Sequence, residues 1–334
     1  MNQRRTLLRA LGAGALAVPL APFAQQAAVP AKAAGKVWRV GMLLLQDRLD
    51  PQSSGAFVPA MRELGYVEGQ NLLIEWRFAD GDTRRLPGLA TELLGWKPDV
   101  LVGGGTASPR AMQKLTTTIP IVMVSTSDPV GVGLVKSLAR PGGNITGMTS
   151  ISIELIPKRL QLLLAMVPKV KRVAFLRNPD GASAPMALAT AQGGAQKLGL
   201  DLLPIDARTV AEIDTGFAEM REQKAEALLV VLTPLFQQRK NQIAALSAQY
   251  RLPSMTADRL YADAGCLMSY GSSSAGHWAR AATFVDKLFK GRKPAELPVE
   301  QPTRFELVIN LIAAKALGIT VPQVLLLQAE RVIE

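Results

Sequence analysis

The chain has 334 residues, a hydrophobic content of 48% and a formal net charge of +11 at pH 7. Its length predicts two domains of ordinary size, and its hydrophobic content excludes an intrinsically disordered chain. The positive charge is spread over short clusters such as Arg84-Arg85 and Arg239-Lys240, which argues against a nucleic-acid-binding surface. The single cysteine, Cys266, excludes an intramolecular disulfide.

Residues 1–33 have the pattern of a secretory signal peptide, with a basic start, an apolar run over 11–20 and a segment rich in Ala and Pro. The apolar run is about half of the roughly 20 residues that span a bilayer. The pair Arg4-Arg5 is typical of twin-arginine export, although a Sec signal can carry the same pair, so both routes stay open. This segment has no cysteine for lipid attachment. We therefore expect an exported periplasmic protein that is not a lipoprotein.

After the signal peptide, strand-like and helix-like segments alternate in two successive series. The first series predicts strands over 37–45, 71–78, 99–104, 120–125 and 144–150, with helices over 56–66, 83–96, 107–117 and 131–139. The second predicts helices over 154–167, 184–199, 210–224 and 236–250, with strands over 172–178, 200–206, 227–232, 252–256 and 265–271. Such alternation predicts two parallel sheets with helices on both faces. The proline-rich stretch 291–302 and the link after Ser150 are interpreted as crossings between them.

The residue types needed for catalysis, metal binding or cofactor binding are scarce. His277 is the only histidine, and its position at a predicted helix start favours a solvated or capping role over a catalytic one. Cys266 lies in an apolar strand and is expected to be a small buried hydrophobe. The stretch 103–108, GGGTAS, matches neither a phosphate loop nor a dinucleotide fingerprint. We therefore predict no enzyme activity, no metal and no cofactor.

Two alternatives remain for the glycines of that stretch. They can form a tight strand-to-helix turn with Thr106 or Ser108 as the N-cap, or they can let backbone amides approach a ligand. Ligands of open parallel sheets bind outside the carboxyl ends of the strands, where this stretch lies. Both interpretations are compatible with the sequence.

Three long segments, 62–94, 116–147 and 297–322, resemble the ABC transporter substrate-binding protein family that includes tryptophan/tyrosine transport binding proteins. The resemblance covers residues 37–334 in order. It implies the α/β fold of type I periplasmic binding proteins, in which two doubly wound parallel-sheet lobes are joined by three crossing segments around a ligand cleft. The N-terminal lobe would comprise 36–149 and about 272–300. The C-terminal lobe would comprise 150–271 and about 303–334.

The resemblance also implies the function. The protein is expected to bind a small solute, such as an amino acid, an aromatic acid or a related small anion, and to deliver it to the permease subunits of an ABC importer. We expect a monomer with no nucleic-acid partner. An extracellular ligand-sensing component with the same two-lobe fold is the alternative. It would be distinguished by a partner other than a permease.

The candidate ligand-binding residues are taken from the strand ends around the expected cleft. They are Gln46, Asp47, Gly105, Thr106, Ala107, Ser125, Thr126, Asp128, Thr149, Asn178, Pro234, Phe236, Asp258 and Tyr270. Amides and hydroxyls of Gly105, Thr106, Ser125 and Thr126 are expected to hold an anionic end of the solute. Asp128 or Asp258 would bind a cationic end. Tyr270 or Phe236 would pack against its apolar body.

Overall fold

The protein was analysed as a computed structural model that describes residues 36–334, so the predicted signal peptide lies outside the described residues. The strands are β1 (Trp38–Leu44), β2 (Leu72–Phe78), β3 (Val100–Gly104), β4 (Ile121–Ser127), β5 (Ile145–Ser150), β6 (Arg172–Arg177), β7 (Asp201–Asp206), β8 (Ala227–Val230), β9 (Ser254–Thr256), β10 (Met268–Gly271), β11 (Glu306–Asn310) and β12 (Arg331–Ile333). The α-helices are α1 (Phe57–Glu63), α2 (Leu86–Gly95), α3 (Ala107–Gln113), α4 (Ile156–Met166), α5 (Ala184–Lys197), α6 (Val210–Glu222), α7 (Pro234–Gln238), α8 (Lys240–Gln249), α9 (Arg259–Asp263), α10 (Ser274–Phe289), α11 (Leu311–Leu317) and α12 (Gln323–Gln328).

These strands form two separate sheets. The first has the order β2-β1-β3-β4-β5, and all of its pairings are parallel. The second has the order β12-β11-β10-β9-β8-β6-β7, and it is parallel except where β11 pairs antiparallel with β10. We call each sheet with the helices packed on it a lobe. The prediction of two α/β lobes is confirmed.

The central strands are apolar on both faces because helices cover both sides of each sheet. In the first lobe, one face of the sheet packs with α1 and α10 and the other packs with α2 and α3. In the second lobe, α4 and α5 cover one face, and α6 and α8 cover the other. Burial of these two sets of apolar side chains stabilises each lobe.

The helix α10 packs on the first sheet although it follows β10 of the second sheet in the chain. Its buried stripe includes Trp278 and Phe284, which lie in one apolar cluster with the strands β1, β3 and β4. At its end, the Phe289 ring stacks on Trp38 with the ring centroids 4.2 Å apart. The chain therefore returns to the first lobe to complete its core.

The predicted helix over 131–139 is wrong. This segment forms turns and bends after β4. Gly133 has a φ of +73°, and the backbone N–H of Gly131 donates to Asp128 Oδ1 over 2.9 Å. Two glycines within this short segment, with Pro129 just before it, weaken a helix more than the apolar periodicity favours one.

Hydrogen bonds fix the segments that cross between the lobes. The backbone N–H of Thr149 donates to Glu300 O, and that of Glu300 donates to Gly147 O, each over 2.9 Å. The fully buried Arg159 guanidinium donates to Ser152 O and Tyr270 O, each over 2.7 Å. Burial lowers the pKa of Arg159 to about 9. Neighbouring crossings are thus held together at the base of the cleft.

Candidate functional site

The carboxyl ends of the parallel strands form one rim on each lobe. On the first lobe, the rim consists of the segments after β1, β3, β4 and β5. On the second lobe, it consists of the segments after β6, β8 and β9. Helix N-termini and loop amides point toward such rims, which makes them the usual ligand-binding edges of parallel sheets.

The glycines at the end of β3 have different roles. A Cβ on Gly103 would lie 2.6 Å from Met112 Cε, and a Cβ on Gly104 would lie 3.1 Å from Trp278 Cζ2, so both glycines allow helices to pack closely on the strand. Gly105 has a φ of +69°, and a Cβ there would meet nothing within 4 Å. Thr106 is the N-cap of α3 without a side-chain capping bond. The tight-turn interpretation accounts for this stretch, and Gly105 also leaves space at the rim.

Threonine hydroxyls on the first rim bind neighbouring strand ends. Thr126 Oγ1 donates to Gly105 O over 2.7 Å, and Thr149 Oγ1 donates to Thr126 O over 2.8 Å. Thr106 Oγ1 accepts from the backbone N–H of Ser127 over 3.2 Å. Thr126 and Thr149 are fully buried. These hydroxyls therefore fix the shape of the rim. Thr126 was expected to bind an anion through its hydroxyl, but this buried hydroxyl donates to Gly105 O instead.

The segment after β4 has a strained backbone. Ser125 has a φ of +56° and Asp128 a φ of +43°, and the register between β4 and β5 shifts between Met123 and Thr126. Left-handed backbone at a residue other than glycine costs about 1–2 kcal/mol and tends to be retained at functional sites. The strain turns Ser125 out of the regular strand.

His277 lies in the first turn of α10, next to Ser125. Its Nδ1 is 2.6 Å from Ser125 Oγ, its Nε2 is buried without a hydrogen-bond partner, and the residue is 6% exposed. Burial lowers the pKa of His277, and the nearby charge of Asp258 partly opposes this shift. The sequence suggested a solvated or capping histidine. The structure instead places a buried, neutral histidine between the two rims.

Asp258 belongs to the rim of the second lobe. Its Oδ1 accepts from the backbone N–H of Leu260, and its Oδ2 accepts from the backbone N–H and the hydroxyl of Ser274. The side chain is 1% exposed. Asp258 therefore caps α9 and holds the start of α10, and both of its oxygens are occupied by protein donors.

The two rims contact each other through charged and amide side chains. Asp47 of the first lobe accepts a hydrogen bond from Gln238 Nε2 and lies 3.6 Å from Arg239 Nη2. Nearby, Lys240 Nζ is 3.3 Å from Asp50 Oδ2, with side chains that are 13% and 14% exposed. Because Gln238, Arg239 and Lys240 belong to the second lobe, these contacts bridge the cleft.

The remaining predicted residues divide into two groups. Gln46, which donates to Ser54 Oγ over 3.0 Å, Ala107, Asn178 and Pro234 are half-buried at the rims. Phe236 is fully buried in the core of the second lobe, so it offers no surface to a solute. The Tyr270 ring packs toward Phe305, with the centroids 6.3 Å apart. The structure therefore does not bring Phe236 and Tyr270 to the rim with the others.

Two cavities lie on the second lobe away from its rim. One, of about 480 Å³, is lined by Tyr270, Arg304 and Phe305 beside the last crossing segment. The other, of about 620 Å³, lies near Pro168 and Gly318 at the opposite ends of the strands. Neither contains the bridging residues. Over residues 36–334, no group of three or more His, Cys, Asp and Glu side chains is placed to hold a metal ion.

Arg239 and His277 contact rim residues but were not among the residues predicted from the sequence. Arg239 follows α7 and therefore lies a helix beyond the end of β8, whereas the predicted residues directly follow the strands. His277 lies in the first turn of α10, which follows the end of β10. The only sequence feature that pointed to His277 was its being the single histidine of the chain, a few residues after a predicted strand.

Comparisons with known proteins agree with this architecture. The profile of a family described as ABC transporter substrate binding protein matches residues 40–333. A protein of Clostridioides difficile (strain R20291) named "Tyrosine-binding protein" is 25% identical over 279 residues, which cover 83% of this chain and 79% of the relative.

Two solved structures are similar to this chain over almost its whole length. A conserved domain protein from Vibrio cholerae has a TM-score of 0.83 and 28% identity, and the match covers 89% of this chain and 100% of that one. An ABC domain from Streptococcus pneumonia in complex with L-Trp has a TM-score of 0.80 and 24% identity, over 89% of this chain and 99% of that one. The expected type I periplasmic binding fold is confirmed.

Proposed function

Because the chain belongs to the ABC transporter substrate-binding protein family, we propose that it holds a small solute between its two rims and delivers it to the permease of an importer. One observation carries the location of the site. The rims are bridged by Asp47 and Asp50 with Gln238, Arg239 and Lys240, and two side-chain atoms next to these contacts or to Ser125, Arg239 Nε and His277 Nε2, are buried without a hydrogen-bond partner. A polar solute can satisfy such atoms, which are otherwise costly to bury.

The proposed solute is an amino acid, an aromatic acid or a related small anion. Support comes from the relatives, one named a tyrosine-binding protein and one solved with L-Trp, and from the site itself. The cleft combines the acidic Asp47 and the basic Arg239 with hydrogen-bonding groups at Ser125 and His277. A small molecule with both charged and neutral polar groups matches this combination.

The proposed mechanism is closure of the lobes on the solute. The solute binds one rim, the second rim then contacts it, and the contacts of Asp47 and Asp50 with α7 and α8 stabilise the closed form. The closed form docks on the permease. The predicted lobe boundaries, 36–149 with about 272–300 and 150–271 with about 303–334, belong to this proposal.

The proposal also includes export of the protein, a monomeric state and release of the solute without chemical change. Residues 1–33 would direct the chain to the periplasm, where it acts as a monomer that releases its solute unchanged. Among residues 36–334, no helix has the length and apolar character needed to cross a bilayer. N-terminal sequencing of the periplasmic fraction and light scattering of the purified protein test these statements.

The solute itself is tested by native mass spectrometry of the purified protein. We expect a complex whose added mass matches one small amino acid or organic acid, and addition of that compound should raise the melting temperature. Recovery of the compound chemically altered would support an enzyme instead. Capture of a partner other than a permease in a pull-down would support the sensing alternative.

A further inference from the structure

The cavity of about 480 Å³ on the second lobe lies away from the rim of that lobe, beside the last segment that crosses between the lobes. Its walls come from α4, the end of β10, the start of β11 with the crossing residues before it, and the segment that leads into β12. Small-molecule sites usually have volumes of about 300–1,000 Å³. The cavity therefore has room for one small molecule in addition to any solute in the cleft.

The inner wall of this cavity is aromatic and aliphatic. The rings of Tyr270 and Phe305 have their centroids 6.3 Å apart and their planes inclined at 39°, and both residues are half-buried. Leu162 and Leu307, which also line the cavity, are buried in the core of the second lobe. An aromatic ring packs well against such a wall, because aromatic pairs are favourable at centroid distances of about 4.5–7 Å. The wall therefore suits a ligand with an aromatic ring.

Two cations that line this cavity have no partner in the protein. Lys158 and Arg304 are exposed, and neither side chain forms a hydrogen bond or an ion pair with another residue of 36–334. Lys158 lies one turn before Leu162 on α4, so the two side chains share one face of the helix. Arg304 directly precedes Phe305 on the crossing segment. Each cation therefore stands next to a side chain of the apolar wall.

The two acids that line the cavity do not compensate this positive charge. In the antiparallel ladder of β10 and β11, Leu307 pairs with Tyr270 and Glu306 pairs with Gly271. Neighbouring residues of a strand point to opposite faces, so the Glu306 side chain points away from the face that carries the apolar wall. Glu330 Oε2 accepts from the backbone N–H of Leu307 over 2.6 Å, so one of its oxygens is already engaged. The charge that is free to act on a ligand is positive, which favours an anion.

We propose that this cavity is a second binding site, separate from the cleft, for a small aromatic carboxylate. The ring of the ligand packs against Tyr270 and Phe305, and its carboxylate binds Arg304 and Lys158. A guanidinium can donate two parallel hydrogen bonds to one carboxylate. The helix rises about 6 Å between Lys158 and Leu162, which is similar to the span from ring to carboxylate in an arylpropanoate. The proposed transport function concerns the cleft alone, so this site is independent of it.

Fluorine NMR with two probes tests the site: 3-phenylpropanoate, and phenethylamine, which has the same ring and a positive charge. The chain has four tyrosines, so protein labelled with 3-fluorotyrosine gives four signals, and Tyr270→Phe identifies that of Tyr270. Titration with 3-phenylpropanoate should shift the Tyr270 signal to saturation and leave the signal of Tyr66, in the first lobe, unchanged. Phenethylamine should require a concentration about tenfold higher or more, because it brings a cation next to Lys158 and Arg304.

Variants test the charge of the site. Joint replacement by Lys158→Gln and Arg304→Gln should weaken 3-phenylpropanoate binding by about fivefold or more, because two charge pairs with the carboxylate are lost. Joint replacement by Lys197→Gln and Arg221→Gln removes the same charge from exposed positions of the same lobe outside the cavity, and it should leave the affinity unchanged. Arg239→Gln, at the cleft, should leave it unchanged as well. Ligand-free thermal unfolding checks that each variant is folded.

Three results would overturn the proposal. The first is a Tyr270 signal of the wild type that does not respond to 3-phenylpropanoate, which decides the matter even if a variant fails to fold. The second is binding of phenethylamine as tight as that of 3-phenylpropanoate. The third is an affinity that falls in Arg239→Gln but not in the cavity variant, because the probe then occupies the cleft, and that result would support the proposed transport function.

Discussion

Breaking the bridge between Lys240 and Asp50 should shift the protein toward an open form. The charged atoms lie 3.3 Å apart and the side chains are 13% and 14% exposed, so the pair is more strongly shielded than a surface ion pair. Exposed pairs contribute about 0.2–1 kcal/mol and breaking a buried pair costs about 3–5 kcal/mol, which places this pair at about 1–2 kcal/mol. That energy corresponds to a factor of about 5–30 in the ratio of closed to open protein.

Lys240→Met retains most of the apolar stem and removes the charge, whereas Asp50→Asn retains the oxygen that accepts from the backbone N–H of Gln52. Because the solute binds the closed form, its affinity should fall in Lys240→Met with the fraction of closed protein, by up to about the same factor of 5–30 where the open form predominates. Small-angle X-ray scattering of the ligand-free variant should give a larger radius of gyration. Calorimetry with the co-purified solute measures the loss of affinity.

Lys290→Met is the matched control. It breaks a contact of 2.9 Å between Lys290, directly after α10, and Asp286 of α10, so the contact lies within one lobe. A double-mutant cycle between Lys240 and Asp50 isolates the interaction energy of the bridge. The reasoning is refuted if Lys240→Met scatters and binds as Lys290→Met does, or if the cycle shows no coupling between Lys240 and Asp50.

Three further predictions concern stability and reactivity. Gly103→Ala should lower the free energy of unfolding by about 1–3 kcal/mol because its Cβ would lie 2.9 Å from the backbone N of Pro109, which cannot move aside as a side chain could. Gly88→Ala, in α2 with no atom within 4 Å of its Cβ, should be neutral or stabilising, and equal urea midpoints for the two variants would contradict this. Burial raises the pKa of Cys266 to about 12, so Ellman's reagent at about pH 8 should label the thiol only along the unfolding transition, and fast labelling of the native protein would disprove its burial. The lowered pKa of His277 means that the unfolded chain takes up this proton first as the pH falls, so stability should drop below the usual pKa of 6.5. Between about pH 7.5 and 5.5, the free energy of unfolding in urea should fall less for His277→Asn than for the wild type. Equal falls in the two proteins would show that His277, the only histidine of the chain, is not the source of the pH dependence.

The lobes were predictable because their central strands are apolar runs separated by amphipathic helices. The apolar runs in β3 and β8 are buried on both faces of their sheets. Such a run followed by an amphipathic helix is typical of a strand in a parallel α/β sheet. The prediction of a helix over 131–139 was wrong because the apolar residues there have helical spacing, while Gly131 and Gly133 favour turns.

The site was predictable only to the level of the strand ends. A sequence places Phe236 near the end of β8, but it does not tell whether the side chain turns into the core, as it does here. The same ambiguity applies to Tyr270, which faces another cavity. Arg239 and His277 come to the cleft through the lengths and directions of the helices that carry them, which no local pattern specifies.

The return of α10 to the first lobe has a consequence for the order of folding. The five strands of that sheet are complete at Ser150, but the face that contains Val40, Val102 and Val122 is covered only by α1 until Trp278 and its neighbours have been synthesised. Contacts of such long sequence separation form late and slowly. A nascent first lobe therefore exposes an apolar sheet while the second lobe is being made, and a fragment ending at residue 150 would be prone to aggregate. The same long-range packing makes the folding of the two lobes interdependent.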